Sequence, residues 1–232
     1  MIAGMKRAGW TLLKLVYPLR AVCMGCGSKA GCEEDWVCPE CRRSLASGWV
    51  GASPAPRGFD GMACAYRYHG AAAGIMRRMK YSGIWRLSSF MAGDMVRAYQ
   101  AILPTGVDCV VPVPMHPKRR RERGYNHAEL LAKEAAKRLG LECLDALERV
   151  RDTRQQARLS GRERRANLKG AIALKQSVEG RRVLLVDDVC TTGTTAVSCL
   201  EQLKCGGAIN VYLLCYAQAK PRKGEGRCYR RL

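Results

Sequence analysis

Two adjacent carboxylates, Asp187 and Asp188, follow the apolar run 183–186 and precede a turn of threonine and glycine. An uninterrupted apolar run is typical of a strand buried on both faces of a parallel sheet. The apolar residues between 197 and 203 then recur at helical spacing. A turn that enters a helix directs main-chain amides and the positive end of the helix dipole at one point, where a phosphate binds favourably. The pattern predicts a phosphosugar site whose phosphate is bound by Thr191, Thr192, Gly193, Thr194 and Thr195.

An Asp-Asp pair taken alone has a simpler interpretation, because aspartates are common in exposed turns and helix caps. In this chain the pair stands between an apolar strand and a Thr/Gly turn. That context favours a binding site over a simple turn.

Four cysteines form two CxxC pairs separated by eleven residues: Cys23, Cys26, Cys38 and Cys41. Each pair can place two thiolates on one metal ion, and four thiolates are typical of a zinc site. Such a site has no free position for water, so the expected role of zinc is structural. Four unrelated buried thiols are the alternative. Cys32 lies between the pairs but lacks a CxxC partner, so we do not expect it to be a ligand.

Alternating strands and helices are expected to position these groups. The apolar patterns predict strands at residues 62–68, 107–112 and 209–216, and helices at 71–80 and 126–140. Strands that alternate with helices favour an α/β fold, a parallel sheet with flanking helices, in which ligands bind at the carboxyl ends of the strands. We therefore expect the loop after 107–112 to lie at the same edge as Asp187 and Asp188.

The chain is long enough for one substantial domain and a small appended module. Residues 44–57 contain Gly48, Gly51, Pro54 and Pro56, a composition that favours a linker over a regular element. The expected division is an N-terminal helix and four-cysteine zinc module at 1–50, an α/β domain at 58–218 and a basic, mobile tail at 219–232.

Lysine and arginine number 40 against 20 acidic residues, which gives a formal net charge of +20. Such an excess favours anionic partners, nucleic acids among them. One arginine-rich group spans residues 151–165. A charge run is as often a solvated face, and that alternative stays open. The most concentrated basic run comprises Lys118, Arg119, Arg120, Arg121 and Arg123.

The sequence favours a cytoplasmic location. No stretch reaches the roughly 20 apolar residues of a membrane span, and the apolar segment 10–16 is short and contains Lys14. The N-terminal residues show no apolar region followed by a small-residue cleavage site. Thirteen cysteines, an odd number, fit reduced thiols better than a disulfide framework.

Residues 183–195 resemble the phosphoribosyl pyrophosphate (PRPP) signature of type I phosphoribosyltransferases: an apolar strand, two acids and Thr-Thr-Gly-Thr. Further stretches resemble the ComF family of competence proteins. This family resemblance covers about residues 20–217. It is found in the CxxC pairs and in 111–114, 123–126, Thr153 with Gln156 and Leu159, and Arg164 with Asn167.

The chain departs from the family pattern at a few positions. The family usually has Phe and Gln where this chain has Tyr125 and His127, and an aromatic residue where Ile172 stands. These departures leave the family assignment intact and affect only the expectation for local contacts.

The resemblance implies a type I phosphoribosyltransferase-like fold for residues 58–218, and roles for individual residues. Asp187 and Asp188 are the catalytic positions, since the corresponding acids accept hydrogen bonds from the ribose 2′ and 3′ hydroxyls. Val113 and Pro114 join the threonine loop in binding PRPP. Magnesium would arrive with PRPP and be coordinated mostly by pyrophosphate and ribose oxygens. Lys80 is a further residue expected to approach the site.

The resemblance also implies a function: a PRPP-binding protein that assists DNA uptake in natural transformation, in contact with single-stranded DNA and other DNA-uptake proteins. Transfer chemistry stays open. Phosphoribosyltransferases that act on purines commonly have an acid where this chain has Thr191, which disfavours purine transfer. Two alternatives remain: an active nucleobase phosphoribosyltransferase in nucleotide salvage, and a nucleic-acid-binding adaptor whose sugar site has become a sensor.

Overall fold

The computed structural model describes residues 22–29, 36–102, 106–151 and 170–219. The predicted helix around residues 10–16, Cys32, the arginine-rich group beyond Arg151 and almost all of the basic tail lie outside the described residues. None of the helices in the described ranges is long and apolar enough to cross a membrane.

A six-stranded sheet forms the centre of the protein, in the order β1-β2-β8-β7-β3-β4. Every neighbouring pair is parallel except β1 and β2, which are antiparallel. A separate antiparallel pair is formed by β5 (Leu147–Arg149) and β6 (Ile172–Leu174). The strands of the large sheet are β1 (Trp49–Ala52), β2 (Gly61–Arg67), β3 (Cys109–Pro112), β4 (Glu142–Cys143), β7 (Arg182–Cys190) and β8 (Asn210–Gln218).

Within the described residues, six helices accompany the sheet: α1 (Pro39–Ser47), α2 (Gly70–Tyr81), α3 (Leu87–Gln100), α4 (Pro117–Arg123), α5 (His127–Leu139) and α6 (Thr194–Cys205). The predicted limits of α5 are confirmed. Asn126 caps its start by accepting a hydrogen bond from the Ala128 amide, and Gly140 ends it in the left-handed region at φ 67°.

Apolar side chains on the two faces of the sheet form two hydrophobic cores. Leu184 and Val186 of β7 belong to the core under α2, α3 and α5, while Val183 and Leu185 belong to the core that includes α6 residues. Successive side chains of a strand point to opposite faces, so a strand covered on both sides is apolar throughout. This explains the uninterrupted apolar run, and the predicted α/β class with a parallel sheet is confirmed.

The prediction of a linker at residues 44–57 was wrong for its first half. α1 continues to Ser47, and β1 pairs with β2 in a register that places Trp49 opposite Tyr66. The two rings pack edge to face with centroids 5.5 Å apart. Glycine and proline around β1 obscured a short edge strand, whose stability comes from pairing and not from local pattern. The sequence patterns also missed α3.

Candidate functional site

The carboxyl ends of β3 and β7 lie side by side. Pro112 is in register with Val186, and the Val113 amide donates to the Val186 carbonyl at 2.9 Å. The loop after β3 and the Asp-Asp pair are therefore neighbours at one edge of the sheet, as parallel pairing requires. Asn126 fixes the β3 loop by donating its side-chain amide to the Val113 carbonyl at 3.0 Å.

The turn after β7 leads directly into α6. Gly193 has φ +76° and precedes the first residue of α6, whose fourth residue, Val197, donates its amide to the Gly193 carbonyl. A Cβ at Gly193 would lie 3.0 Å from the Pro56 ring, so only glycine suits both the backbone angle and the space. The hydroxyls of Thr192 and Thr194 are buried and 2.8 Å apart, whereas Thr191 is exposed.

Asp188 forms an ion pair with Lys80, with 2.8 Å between Asp188 Oδ2 and Lys80 Nζ. The two side chains are only 15% and 19% exposed, respectively. Burial opposes the charge on Lys80, but the nearby Asp188 carboxylate outweighs it and raises the pKa of Lys80. The site thus contains its own cation, which is paired with the acid expected to bind ribose.

Asp187 differs from Asp188 in its contacts. Its Oδ1 accepts the Asp188 amide at 2.8 Å. Loss of hydration raises the pKa of Asp187 to about 7, and the neighbouring negative charge of Asp188 acts in the same direction. The two adjacent acids therefore have different electrostatic surroundings: Asp188 is paired with Lys80, and the pKa of Asp187 is raised.

His127 lies fully buried beside this pair, and its ring packs edge to face against Tyr125 at 5.1 Å. Neither ring nitrogen makes a well-formed hydrogen bond. Burial lowers the pKa of His127 to about 4, and the positive charges of Lys80 and Arg123 contribute while Asp188 opposes. The imidazole is neutral at physiological pH. Tyr125 donates its hydroxyl to the Met79 carbonyl at 2.6 Å and so joins the start of α5 to α2.

The basic run forms α4, which follows the β3 loop and therefore lies near the sugar-site edge. Arg120 pairs with Glu129 at 3.1 Å, and the Arg123 guanidinium lies 5.7 Å from the centre of the Tyr81 ring. No α4 side chain is buried. The run thus presents charge to solvent close to the candidate site, and its role as a phosphate or nucleic-acid contact, at Lys118, Arg119, Arg120, Arg121 and Arg123, stays a prediction.

The four predicted zinc ligands converge, because the sulfur atoms of Cys23, Cys26, Cys38 and Cys41 all lie within 4.8 Å of one another. Main-chain amides donate to them: Gly25 and Cys38 to Cys23 at 3.3 and 3.2 Å, and Ser28 to Cys26 at 3.4 Å. Burial alone would raise the pKa of Cys23, yet these backbone donors lower it to about 6. Amide donors stabilise thiolates, so the donor set fits a zinc ion.

The sequence predicted the four cysteines and the acid pair. It did not predict the contacts by which α2 connects them. Arg78 of α2 donates to the Met24 and Gly25 carbonyls of the cysteine-bearing segment at 3.0 and 3.1 Å. Lys80, two residues later, reaches Asp188. No local sequence pattern predicts these contacts, since each joins segments far apart in the chain. Lys80 was expected near the site, and the structure places it there.

Comparison with known proteins agrees with this geometry. The family model described as phosphoribosyl transferase domain matches residues 126–231. Competence protein F of Haemophilus influenzae is 40% identical over 114 residues, 47% of this chain and 48% of that protein, so the alignment spans about half its length. DNA utilization protein YhgH of Escherichia coli K12 is 29% identical over 84% of this chain and 88% of the relative.

Another relative and one solved structure are also similar to this chain. Competence protein ComFC of Bacillus subtilis is 28% identical over 88% of both chains. Among solved structures, purine phosphoribosyltransferase from Pyrococcus horikoshii is 18% identical over 60% of this chain and 75% of its own, with a TM-score of 0.35.

The parallel sheet, the acid pair near the end of β7, the threonine turn after it and the matching family model define a phosphoribosyltransferase-like protein. The relatives named competence protein F, ComFC and YhgH, together with the four-cysteine cluster, support a ComF-family protein.

Proposed function

We propose that this protein binds PRPP with magnesium at the carboxyl end of β7 and acts in the cytoplasm to assist DNA uptake. The observation that carries the proposal is the meeting of three groups at one sheet edge: the acid pair, the threonine turn and the β3 loop. Carboxylates suit the ribose hydroxyls, and amides at a helix start suit the 5-phosphate.

In this proposal each part of the site has a distinct task. Asp187 and Asp188 accept hydrogen bonds from the ribose hydroxyls, and residues 191–195 surround the 5-phosphate. Val113 and Pro114 line the side on which pyrophosphate lies, within reach of a cation such as Lys80. Magnesium, held mostly by oxygens of PRPP, supplies charge neutralisation for the pyrophosphate.

The residues favour a protein that binds PRPP without transferring its ribosyl group to a purine. The exposed Thr191 stands where purine-specific relatives carry an acid, and it offers no general base. An active nucleobase phosphoribosyltransferase is the alternative. Pyrophosphate release on mixing the protein with PRPP and a panel of bases distinguishes the two, and we expect none with purines.

Contact with DNA is supported by charge and by relatives. The formal net charge is +20, and several relatives are named DNA utilization or competence proteins. The exposed basic helix α4 stands near the sugar site. We infer that the protein contacts single-stranded DNA and works with other DNA-uptake proteins.

Calorimetric titration tests the sugar site directly. We expect PRPP with magnesium to bind the native protein at least tenfold more tightly than a variant carrying Asp187→Asn and Asp188→Asn, since hydrogen bonds to charged groups contribute roughly 1.5–3 kcal/mol each. Asp108→Asn is the matched control, because Asp108 pairs with Arg182 at the opposite end of β3 and β7. Equal affinity in the native protein and the double variant would refute the site.

A further inference from the structure

We propose that the groove between the cysteine-bearing segment and α2 binds one strand of nucleic acid, with Tyr81 stacking on a base and Arg77 contacting phosphate. The inference rests on the proposed contact with DNA and names the site that makes it. It places that contact on a surface that differs from the α4 run.

The groove has a volume of about 660 Å³, within the roughly 300–1,000 Å³ typical of ligand sites. One wall is formed by the exposed side of α2 and by the end of this helix. The other wall is formed by α1 and by the segment that carries Cys23 and Cys26, which we call the zinc knuckle. The residues used in the argument are Gly25, Cys26, Glu40, Arg77, Arg78 and Tyr81.

Contacts between α2 and the cysteine-bearing segment hold the walls of the groove in place. Arg78 donates to the carbonyls of Met24 and Gly25, and Gly25 packs so closely on α2 that a Cβ at Gly74 would lie 1.9 Å from its carbonyl oxygen. A preformed cleft avoids part of the ordering cost of binding. Arg78 is thus committed to the wall, while the neighbouring Arg77 is exposed to solvent.

Tyr81 has the chemistry of a stacking platform. It is 73% exposed, although a large ring gains free energy by burial. The Arg123 guanidinium lies over one face of its ring, 5.7 Å from the centre, which leaves the other face for a base. Exposed aromatic rings in a positively charged groove are the groups on which bases of a single strand stack, at roughly 1–3 kcal/mol per base.

The groove and its surroundings offer cations that a phosphodiester chain can contact. Arg77 and Arg78 are among its lining residues, where Glu40 and the thiolates of the cysteine cluster oppose them, and Tyr81 leads from the groove towards Arg123 of the basic helix α4. A phosphodiester chain can follow such a row of cations. A duplex keeps its base faces stacked and cannot offer one to Tyr81, so the expected ligand is single-stranded.

Fluorescence anisotropy with a labelled 20-nucleotide oligothymidine and the zinc-loaded full chain tests the groove. We expect Tyr81→Ala to raise Kd about 5-fold to 160-fold, since one stack is lost, and Tyr81→Phe to bind nearly as the native protein does. Arg77→Ala is expected to weaken binding and to reduce the slope of log K against log salt by about 0.7. An unlabelled duplex of the same length is expected to compete poorly.

Two controls separate the groove from general adsorption. Lys137→Ala removes an exposed charge from α5, and Trp85→Ala removes a 54% exposed aromatic ring that does not line the groove. Both are expected to change Kd less than twofold. Losses as large as that of Tyr81→Ala in these controls would overturn the inference.

The outcomes also separate this inference from the proposed function. If the native protein binds the oligonucleotide and Tyr81→Ala and Arg77→Ala bind it equally well, the groove is refuted while DNA contact stands. If the native protein binds no oligonucleotide, both DNA statements fail, and the PRPP titration decides the sugar site independently. Zinc content and a melting curve for each variant confirm that the fold is retained.

Discussion

Asp187 and Asp188 are adjacent in sequence but occupy different electrostatic surroundings. Asp188 is neutralised by Lys80 at 2.8 Å, whereas Asp187 accepts a main-chain amide and has a pKa raised to about 7. A carboxyl whose pKa is higher in the folded than in the unfolded protein costs stability once both states are ionised. The acid expected to meet ribose is therefore kept at a cost to the folded state.

The two single substitutions should change stability in opposite directions. At pH 8 we expect Asp187→Asn to raise the free energy of unfolding, since the neutral amide avoids the cost of ionising a poorly hydrated group and can still accept the Asp188 amide. Asp188→Asn should lower it by roughly 1–3 kcal/mol, because Lys80 loses its counter-charge. Urea unfolding at pH 8 measures both.

The pH dependence of the first effect checks its cause. The stabilisation by Asp187→Asn should shrink as the pH falls from 8 towards 4, because protonation removes the charge from Asp187 in the native protein. A gain that is constant across this range, or a loss at pH 8, would contradict the raised pKa. Both variants should bind PRPP more weakly than the native protein.

Helix α2 connects the cysteine cluster to the proposed sugar site. Its middle touches the zinc knuckle through Gly74 and Arg78, and its end carries Lys80 to Asp188. The Met79 carbonyl accepts the Tyr125 hydroxyl, which ties the same helix to the start of α5. Displacement of α2 is expected to disturb both sites at once.

Gly74→Ala should damage this connection. The added Cβ would lie 1.9 Å from the Gly25 carbonyl oxygen, so the knuckle or the helix must move. We expect a loss of about 1–3 kcal/mol in stability and faster release of zinc to a chromophoric chelator.

Gly93→Ala is the matched control, because Gly93 also lies inside a helix and its new Cβ would meet only the Arg138 side chain, at 3.7 Å. Replacement of glycine by alanine within a helix favours the fold by roughly 1 kcal/mol where there is space. Gly93→Ala should therefore be neutral or stabilising and leave zinc release unchanged. Similar behaviour of the two variants would mean that the knuckle does not depend on its contact with α2.

At the level of the whole molecule, the cysteine cluster shares a hydrophobic core with the sheet. Cys23, Met24 and Leu45 belong to the same buried cluster as Ile75 of α2 and Tyr216 of β8. The boundary expected near residue 50 falls within β1, which pairs with β2. Metal binding and folding of the α/β domain are therefore expected to be linked.

Removal of zinc should weaken the entire protein. We expect a strong zinc chelator, with magnesium kept in excess, to lower Tm in a single transition and to weaken PRPP binding, because α2 loses the support that positions Lys80. Addition of zinc should restore both. A protein verified as zinc-free with unchanged Tm and PRPP affinity would show that the cluster is independent of the domain.

Much of the candidate site could be predicted because its parts are contiguous in sequence. The threonine turn, the acid pair and the two CxxC pairs each lie within a few residues, so local chemistry reveals them. The helical limits at Asn126 and Gly140 also follow local capping rules. Strand β1 could not be predicted in the same way, and a linker was expected in its place. An edge strand is stabilised by pairing with its partner strand, which the local sequence does not show.

The sequence by itself determined the α/β class, the threonine turn, the acid pair and the cysteines that cluster, because each depends on residue type and short spacing. Only the tertiary structure decided that Lys80 neutralises Asp188, that His127 is buried without a well-formed hydrogen bond, and that Tyr81 and Arg77 line one groove with the zinc knuckle. These contacts join residues distant in the chain. Their formation depends on strand order and helix packing, which no short stretch of sequence encodes.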